Sequence, residues 1–206
     1  MKKKKPTMRE LNAINTKENI FQAAIYLFGK DGFSSVTVED ITRFAKVSKG
    51  TFYTHFASKD NVLVEQFKLI DEQYEKAYEQ LDKCSHAKDQ IKVIVDTMCD
   101  YVQNVCGVSI IQVVYMNQIS PTKKTIILDN QNRSIYRILN DIVDRGIKNG
   151  QIRGDIDRAT LTKYIIREFR GMIYDWCMSN ASFDLIEEGK KYAEYMCTRF
   201  AQPNQN

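Results

Sequence analysis

VSKGTFYTHFASKD, Val47 to Asp60, is the stretch from which the rest of the chain is read. It holds three aromatic rings, a glycine, two lysines and one of the chain's two histidines. Ser48 is suited to cap a helix opening at Lys49, because its hydroxyl accepts a bond from an otherwise orphaned backbone N–H. That helix is expected to run to about Phe56. Phe52 turns inward with Val47, and Phe56 closes the core behind them. Lys49, Gly50, Thr51, Tyr53 and Thr54 turn outward near the N-terminus. A glycine weakens a helix, so Gly50 needs a reason. Without a side chain there, the helix can lie very close to another surface.

Working outward, Thr37-Val-Glu-Asp40 reads as a capping box, with Glu39 and Asp40 in the first turn where the helix dipole favours acids. The helix it opens is expected over Val38 to Ala45, burying Val38, Ile41, Phe44 and Ala45. Lys46-Val47-Ser48 is then a three-residue break, and two short helices so joined make a helix-turn-helix unit. Further upstream Ile20, Ala23, Ala24, Leu27 and Phe28 recur on one helical face, with Thr16 as expected N-cap and Gly32 as C-cap. A helix N-terminus favours phosphate, Lys49 adds charge, and Thr51 offers a hydroxyl or methyl to base edges. Tyr53 and His55 can donate to phosphate oxygens. Ser58 caps a further helix near Lys59, a second phosphate-facing end.

Charge is uneven. Residues 1–60 carry eleven Lys or Arg against six acids, net +5, and the remainder nineteen against twenty, net −1, within a whole-chain +4. Much of the excess is Lys2 to Lys5, either a solvated tail or an arm for a groove of DNA. From Asn61 onward helix follows helix. Expected spans are Asn61 to Leu81, Asp89 to Val105 continued by Val108 to Met116, Thr122 to Asn149, Ala159 to Ser179, and Phe183 to Phe200. The face with Ile91, Ile94, Val95, Met98, Val102 and Val105 suits the centre of a bundle. The last two helices carry more apolar surface than one core needs, which points to a partner, with completion of the chain's own core as the alternative.

Other classes recede. No run of eighteen apolar residues exists, so no membrane span is expected. MKKKKP is followed by no apolar stretch, so the chain is expected in the cytoplasm. The five cysteines, Cys84, Cys99, Cys106, Cys177 and Cys197, form no C-x-x-C pair and predict neither a disulfide framework nor a metal site. They read as small buried residues or as redox-sensing thiols. With two histidines and no H-E-x-x-H, G-x-S-x-G, G-x-G-x-x-G or phosphate-binding loop, no catalytic residue or cofactor is predicted.

TVEDITRFAKVSKGTFYTHFASKD, Thr37 to Asp60, together with AAIYLF from Ala23 to Phe28, resembles the DNA-binding signature of the TetR/AcrR family of transcriptional regulators. The resemblance covers about fifty residues. KNGQIRGDID and GMIYDW add a weaker likeness to the family's C-terminal pattern. It implies an all-α fold, with a three-helix DNA-binding domain over residues 1–60 and a helical ligand-binding and dimerisation domain over 61–206. By position, Thr37, Tyr53, His55 and Lys59 resemble phosphate-contacting residues, and Lys49, Gly50, Thr51 and Thr54 groove-facing ones, with Ser48 capping the same helix. Lys46 stands where the family most often has glycine, so a lysine must accept a left-handed backbone, and it is able to add a phosphate contact. The family habit implies a homodimer through the last two helices, a palindromic double-stranded operator, and repression relieved by a small-molecule effector. Met98, Tyr101, Tyr115, Met116, Tyr136, Phe169, Met172 and Trp176 are the candidate effector-wall residues, each also readable as plain core. A ligand-responsive coactivator or a redox-sensing interaction protein on the same fold is the alternative.

Overall fold

A computed structural model describes residues 7–81, 86–120 and 126–201. Lys2 to Lys5, Cys84 and Pro121 lie outside the described residues. The helices are α1 (Met8–Asp31), α2 (Val38–Ala45), α3 (Lys49–His55), α4 (Lys59–Glu79) and α5 (Ala87–Asp100), a π-helical segment (Tyr101–Cys106), α6 (Gly107–Ile119), α7 (Ser134–Lys148), α8 (Arg158–Met178) and α9 (Leu185–Phe200). The only extended pairing among the described residues is one isolated bridge between Ile152 and Ala201. The chain is all-α, as the sequence implies. It forms two compact units, one of residues 1–66 and 113–125, the other of 67–112 and 126–206. The expected division after residue 60 falls inside the first turn of α4.

In the smaller unit α1 packs on α2 and α3, and α2 packs on α3. Ile20, Ala24 and Phe28 of α1, Ile41 of α2 and Phe52 of α3 are buried together with Phe56, Val62 and Leu63. The rings of Phe52 and Phe56 lie 5.8 Å apart. Two expectations are corrected here. Helix α1 starts at Met8, because Thr7 and Glu10 form a complete capping box, with Thr7 about two and a half turns before Thr16. Thr16 lies within the helix and donates its hydroxyl to Asn12 O. Phe44 is not core: it is 54 % exposed and stacks on Tyr26, while Thr42 takes the buried position.

In the larger unit α5 packs on α9 and α7, α7 on α8, and α8 on α9. Gly189 lets α9 close on α5, since a Cβ there would stand 2.6 Å from Cys99 Sγ. Arg133 is held by Asp71 through Nε (3.1 Å) and Nη2 (2.9 Å), with its guanidinium over the Phe67 ring. Of the helix expected over Thr122 to Asn149, the first residues lie outside the described ones, residues 126–133 are not helical, and α7 opens at Ser134. Its described forerunner is a turn in which the Asn130 side chain accepts from Asn132 N, local bonding that competes with helix. The π-helical segment interrupts the run expected to be one helix. The wider turn rotates the following face, and Val105 is exposed rather than core. The last helix opens at Leu185, after its N-cap Asp184, rather than at Phe183.

Candidate nucleic-acid interface

The helix-turn-helix is built from side chains that bond to nearby backbone. Thr37 accepts from Asp40 N at 3.2 Å, and the Asp40 carboxylate accepts from Thr37 N at 3.0 Å, completing the capping box. These bonds to Thr37 hold the Asp40 carboxyl below its ordinary range. Ser48 caps α3 by accepting from Thr51 N at 3.0 Å. Lys46 occupies the left-handed region at φ 55°, ψ 43°, turning the chain between the two helices. Asn19 of α1 donates to Ala45 O at 2.8 Å and so ties the end of α2, a role with no sequence signal beyond a polar residue beside an apolar stripe.

Burying Phe52 fixes which face of α3 meets solvent. Lys49, Gly50, Tyr53 and Thr54 are exposed, Thr51 and His55 half-buried. Tyr53 is 56 % exposed, its ring edge-on to Phe52. A Cβ on Gly50 would meet nothing nearer than Ser48 Oγ at 3.6 Å, so packing within the chain does not require glycine there. Lys49 is ion-paired with Glu39, and that bond lowers the Glu39 carboxyl from its ordinary value. Lys59 turns its ammonium onto Phe33 O (2.6 Å) and Val36 O (2.9 Å), 4.4 Å from the Phe33 ring centroid. Desolvation there lowers its pKa. In this structure its charge clamps the loop between α1 and α2.

The candidate effector residues are dispersed. Tyr115 and Met116 belong to the smaller unit, where Met116 is 67 % exposed. The other six belong to the larger. Tyr101, Phe169 and Trp176 are buried there, and Trp176 Nε1 donates to Phe183 O at 3.0 Å. Met98 and Met172 are half-buried. Tyr136 lines a polar cavity of about 110 Å³ with Lys163, Arg167 and Arg170. Met172 lines a different one of about 610 Å³, with Arg167, Gly171 and Tyr192. Burial pushes the thiols of Cys99 up to about 12 and of Cys177 and Cys197 to about 11, so all three stay protonated and poorly nucleophilic near neutrality. Among the described residues no cluster of His, Cys, Asp or Glu is placed to hold a metal ion, and no helix is long and apolar enough to cross a membrane.

The sequence matches the description "Bacterial regulatory proteins, tetR family" over residues 20–65, and "YsiA-like protein, C-terminal region" over residues 66–198. The chain belongs to the TetR family. It is a DNA-binding transcriptional regulator of that family and not an enzyme. Among curated relatives, the fatty acid metabolism regulator protein of Bacillus subtilis (strain 168) is 22% identical over 168 residues, covering 81% of this chain and 86% of the relative. The fatty acid degradation regulator FadR of Bacillus halodurans superposes with a TM-score of 0.74 at 18% identity, covering 87% of this chain and 97% of that one. FadR of Bacillus subtilis, solved in complex with stearoyl-CoA, superposes at 0.66 and 17% identity, covering 88% and 97%. At such identities the two structures establish a shared fold.

Proposed function

We propose that this TetR-family chain is a homodimeric repressor. Residues 1–60 hold a palindromic operator, and residues 61–206 dimerise and bind an effector that releases it. The observation that carries this reading is the α3 surface. Phe52 is buried beneath it, while Lys49, a glycine that packing does not require, and Tyr53 face outward at a capped N-terminus. Each recognition helix enters a major groove, so half-sites about 34–36 Å apart, or a multiple, follow from dimer symmetry. Tyr53, His55, Thr37 and Lys46 are assigned to phosphates, with Lys59 holding the loop behind them. Repression by occupancy asks nothing of the protein beyond binding.

Support for the dimer comes from α8. Tyr164, Gly171, Tyr174 and Met178 recur along one exposed side, at the spacing of a helix–helix seam. A Cβ on Gly171 would meet nothing within 4 Å, although a glycine in mid-helix lowers stability by about 1 kcal/mol. A partner helix approaching that bare backbone accounts for both facts. The effector class first in line is a long-chain acyl-CoA, the ligand that the Bacillus subtilis structure holds.

Selection of the purified protein against a random duplex library, followed by sedimentation of the complex and titration with stearoyl-CoA, tests the reading. A recovered palindrome bound by two chains and released by the thioester is the expected result. Enrichment of no sequence would overturn the DNA-binding assignment, and a monomeric complex the dimer. Failure of the thioester to release the operator would remove that effector class.

A further inference from the structure

The first turns of α2 and α3 set an acid and a base side by side on the exposed surface of the motif. Glu39 is the second residue of α2 and Lys49 the first of α3. The Lys49 ammonium donates to the Glu39 carboxylate, and the two side chains are 56 % and 50 % exposed. The surrounding groups are already engaged. The Ser48 and Thr51 hydroxyls bond each other at 2.8 Å, and Thr54 donates to Gly50 O at 2.9 Å. Thr37 donates to Asp40 at 2.5 Å, and Arg43 lies 3.5 Å from the same carboxylate. An ammonium has three donors and a carboxylate about four lone-pair sites, so the Glu39–Lys49 pair keeps capacity in both directions.

A pair of this kind is poorly suited to the DNA backbone. It carries no net charge, its acid repels phosphate, and a neutralised lysine releases few counterions. It is well suited to a base-pair edge. In the major groove guanine presents O6 and N7, two acceptors for one ammonium, and its cytosine presents the N4 amine, a donor for a carboxylate. An A·T pair also presents two acceptors, adenine N7 and thymine O4, but on opposite sides of the adenine N6 amine, so one ammonium cannot take both, and the pair is the poorer match.

We propose that Glu39 and Lys49 together read one G·C base pair in each operator half-site, the ammonium on guanine O6 and N7 and the carboxylate on cytosine N4. This rests on the repressor reading above, in particular on α3 lying in a major groove. It adds Glu39, on the helix before the recognition helix, to the residues that decide which DNA is bound.

The test repeats the random-duplex selection with the wild-type chain, Glu39→Ala, Lys49→Ala and the double variant, each checked for an unchanged melting transition. The wild type is expected to prefer G·C at one position per half-site by about tenfold, within the usual range for one good side-chain–base contact. Each single variant is expected to lose that preference at the same position, keeping it elsewhere, and the double variant to lose nothing more. An operator recovered with the wild type but with base preferences unchanged in Glu39→Ala would overturn the inference and leave the repressor reading intact. So would a Glu39-dependent preference for A·T. Uniform weakening of all duplexes by Lys49→Ala, with a flatter salt dependence, would make Lys49 a phosphate contact instead. Enrichment of nothing by the wild type would overturn both readings.

Discussion

The smaller unit and the larger one reach the same end, a buried apolar interior, by different routes. Between Thr37 and Asp60 the structure is specified locally: a capping box at Thr37, a cap at Ser48, and Phe52 and Phe56 one turn apart. In the larger unit specification is distant. Gln112 reaches Cys177 O, Gln103 caps Leu185 N, and Gly189 yields to Cys99 across the crossing of α9 and α5. Local specification keeps a surface in register whatever lies elsewhere, which suits a reading head. Distant specification couples many helices, which suits an element that must answer to a ligand.

The contrast breaks most sharply at Phe52. Phe52→Ala is expected to destabilise the chain by roughly 3–5 kcal/mol, the usual loss for a fully buried aromatic. Thermal denaturation is expected to show an early transition that removes DNA binding while most helical signal persists. A single transition shifted as a whole would mean that the two units melt together. Next in size is Lys59. Lys59→Met leaves the carbonyls of Phe33 and Val36 without a donor and is expected to lower stability by about 1–3 kcal/mol in urea titration. No change there would show that the ammonium serves the DNA rather than the loop.

Two smaller effects sharpen the comparison. Lys46→Gly relieves a left-handed residue that bears a Cβ and is expected to raise the melting midpoint by the equivalent of about 1 kcal/mol. In the larger unit, the buried thiols of Cys99, Cys177 and Cys197 hold protons that an unfolded chain releases near its ordinary thiol value. Between that value and about 11 to 12 the folded state binds more protons than the unfolded one, so stability is expected to fall as pH rises through this window and to be flat below it. Urea midpoints measured from pH 8 to 11 check the sign. Rapid labelling of these thiols by a disulfide reagent at neutral pH would instead favour a redox-sensing role.

Legibility in the sequence followed the same divide. The turn at Lys46, the caps at Thr37 and Ser48 and the burial of Phe52 were all readable, because each is written within four residues. The start of α1 carries the same signal in Thr7 and Glu10, but it lies ahead of the apolar periodicity that marks the rest of the helix in the sequence. Phe44 misled because an aromatic on an expected core face can stack on an exposed neighbour, here Tyr26, instead. The π-helical segment had no signal: an extra residue per turn is imposed by packing and leaves Tyr101 and Val102 buried but Val105 in solvent. The turn before α7 was legible in principle, in the run Asp129-Asn-Gln-Asn132. In the sequence Glu39 shows only as a dipole partner, because its pairing with Lys49 spans ten residues and exists only after the motif has folded.

Gly50 tests the central claim most directly. Among the described residues none needs its missing side chain, so Gly50→Leu is expected to leave the melting midpoint within about 1 kcal/mol-equivalent of wild type while barring close approach to a groove. Affinity for the selected operator, measured by fluorescence anisotropy, is expected to fall by about a hundredfold, equivalent to roughly 3 kcal/mol. Operator binding retained at wild-type strength by a stably folded Gly50→Leu protein would contradict the assignment of the α3 surface to DNA.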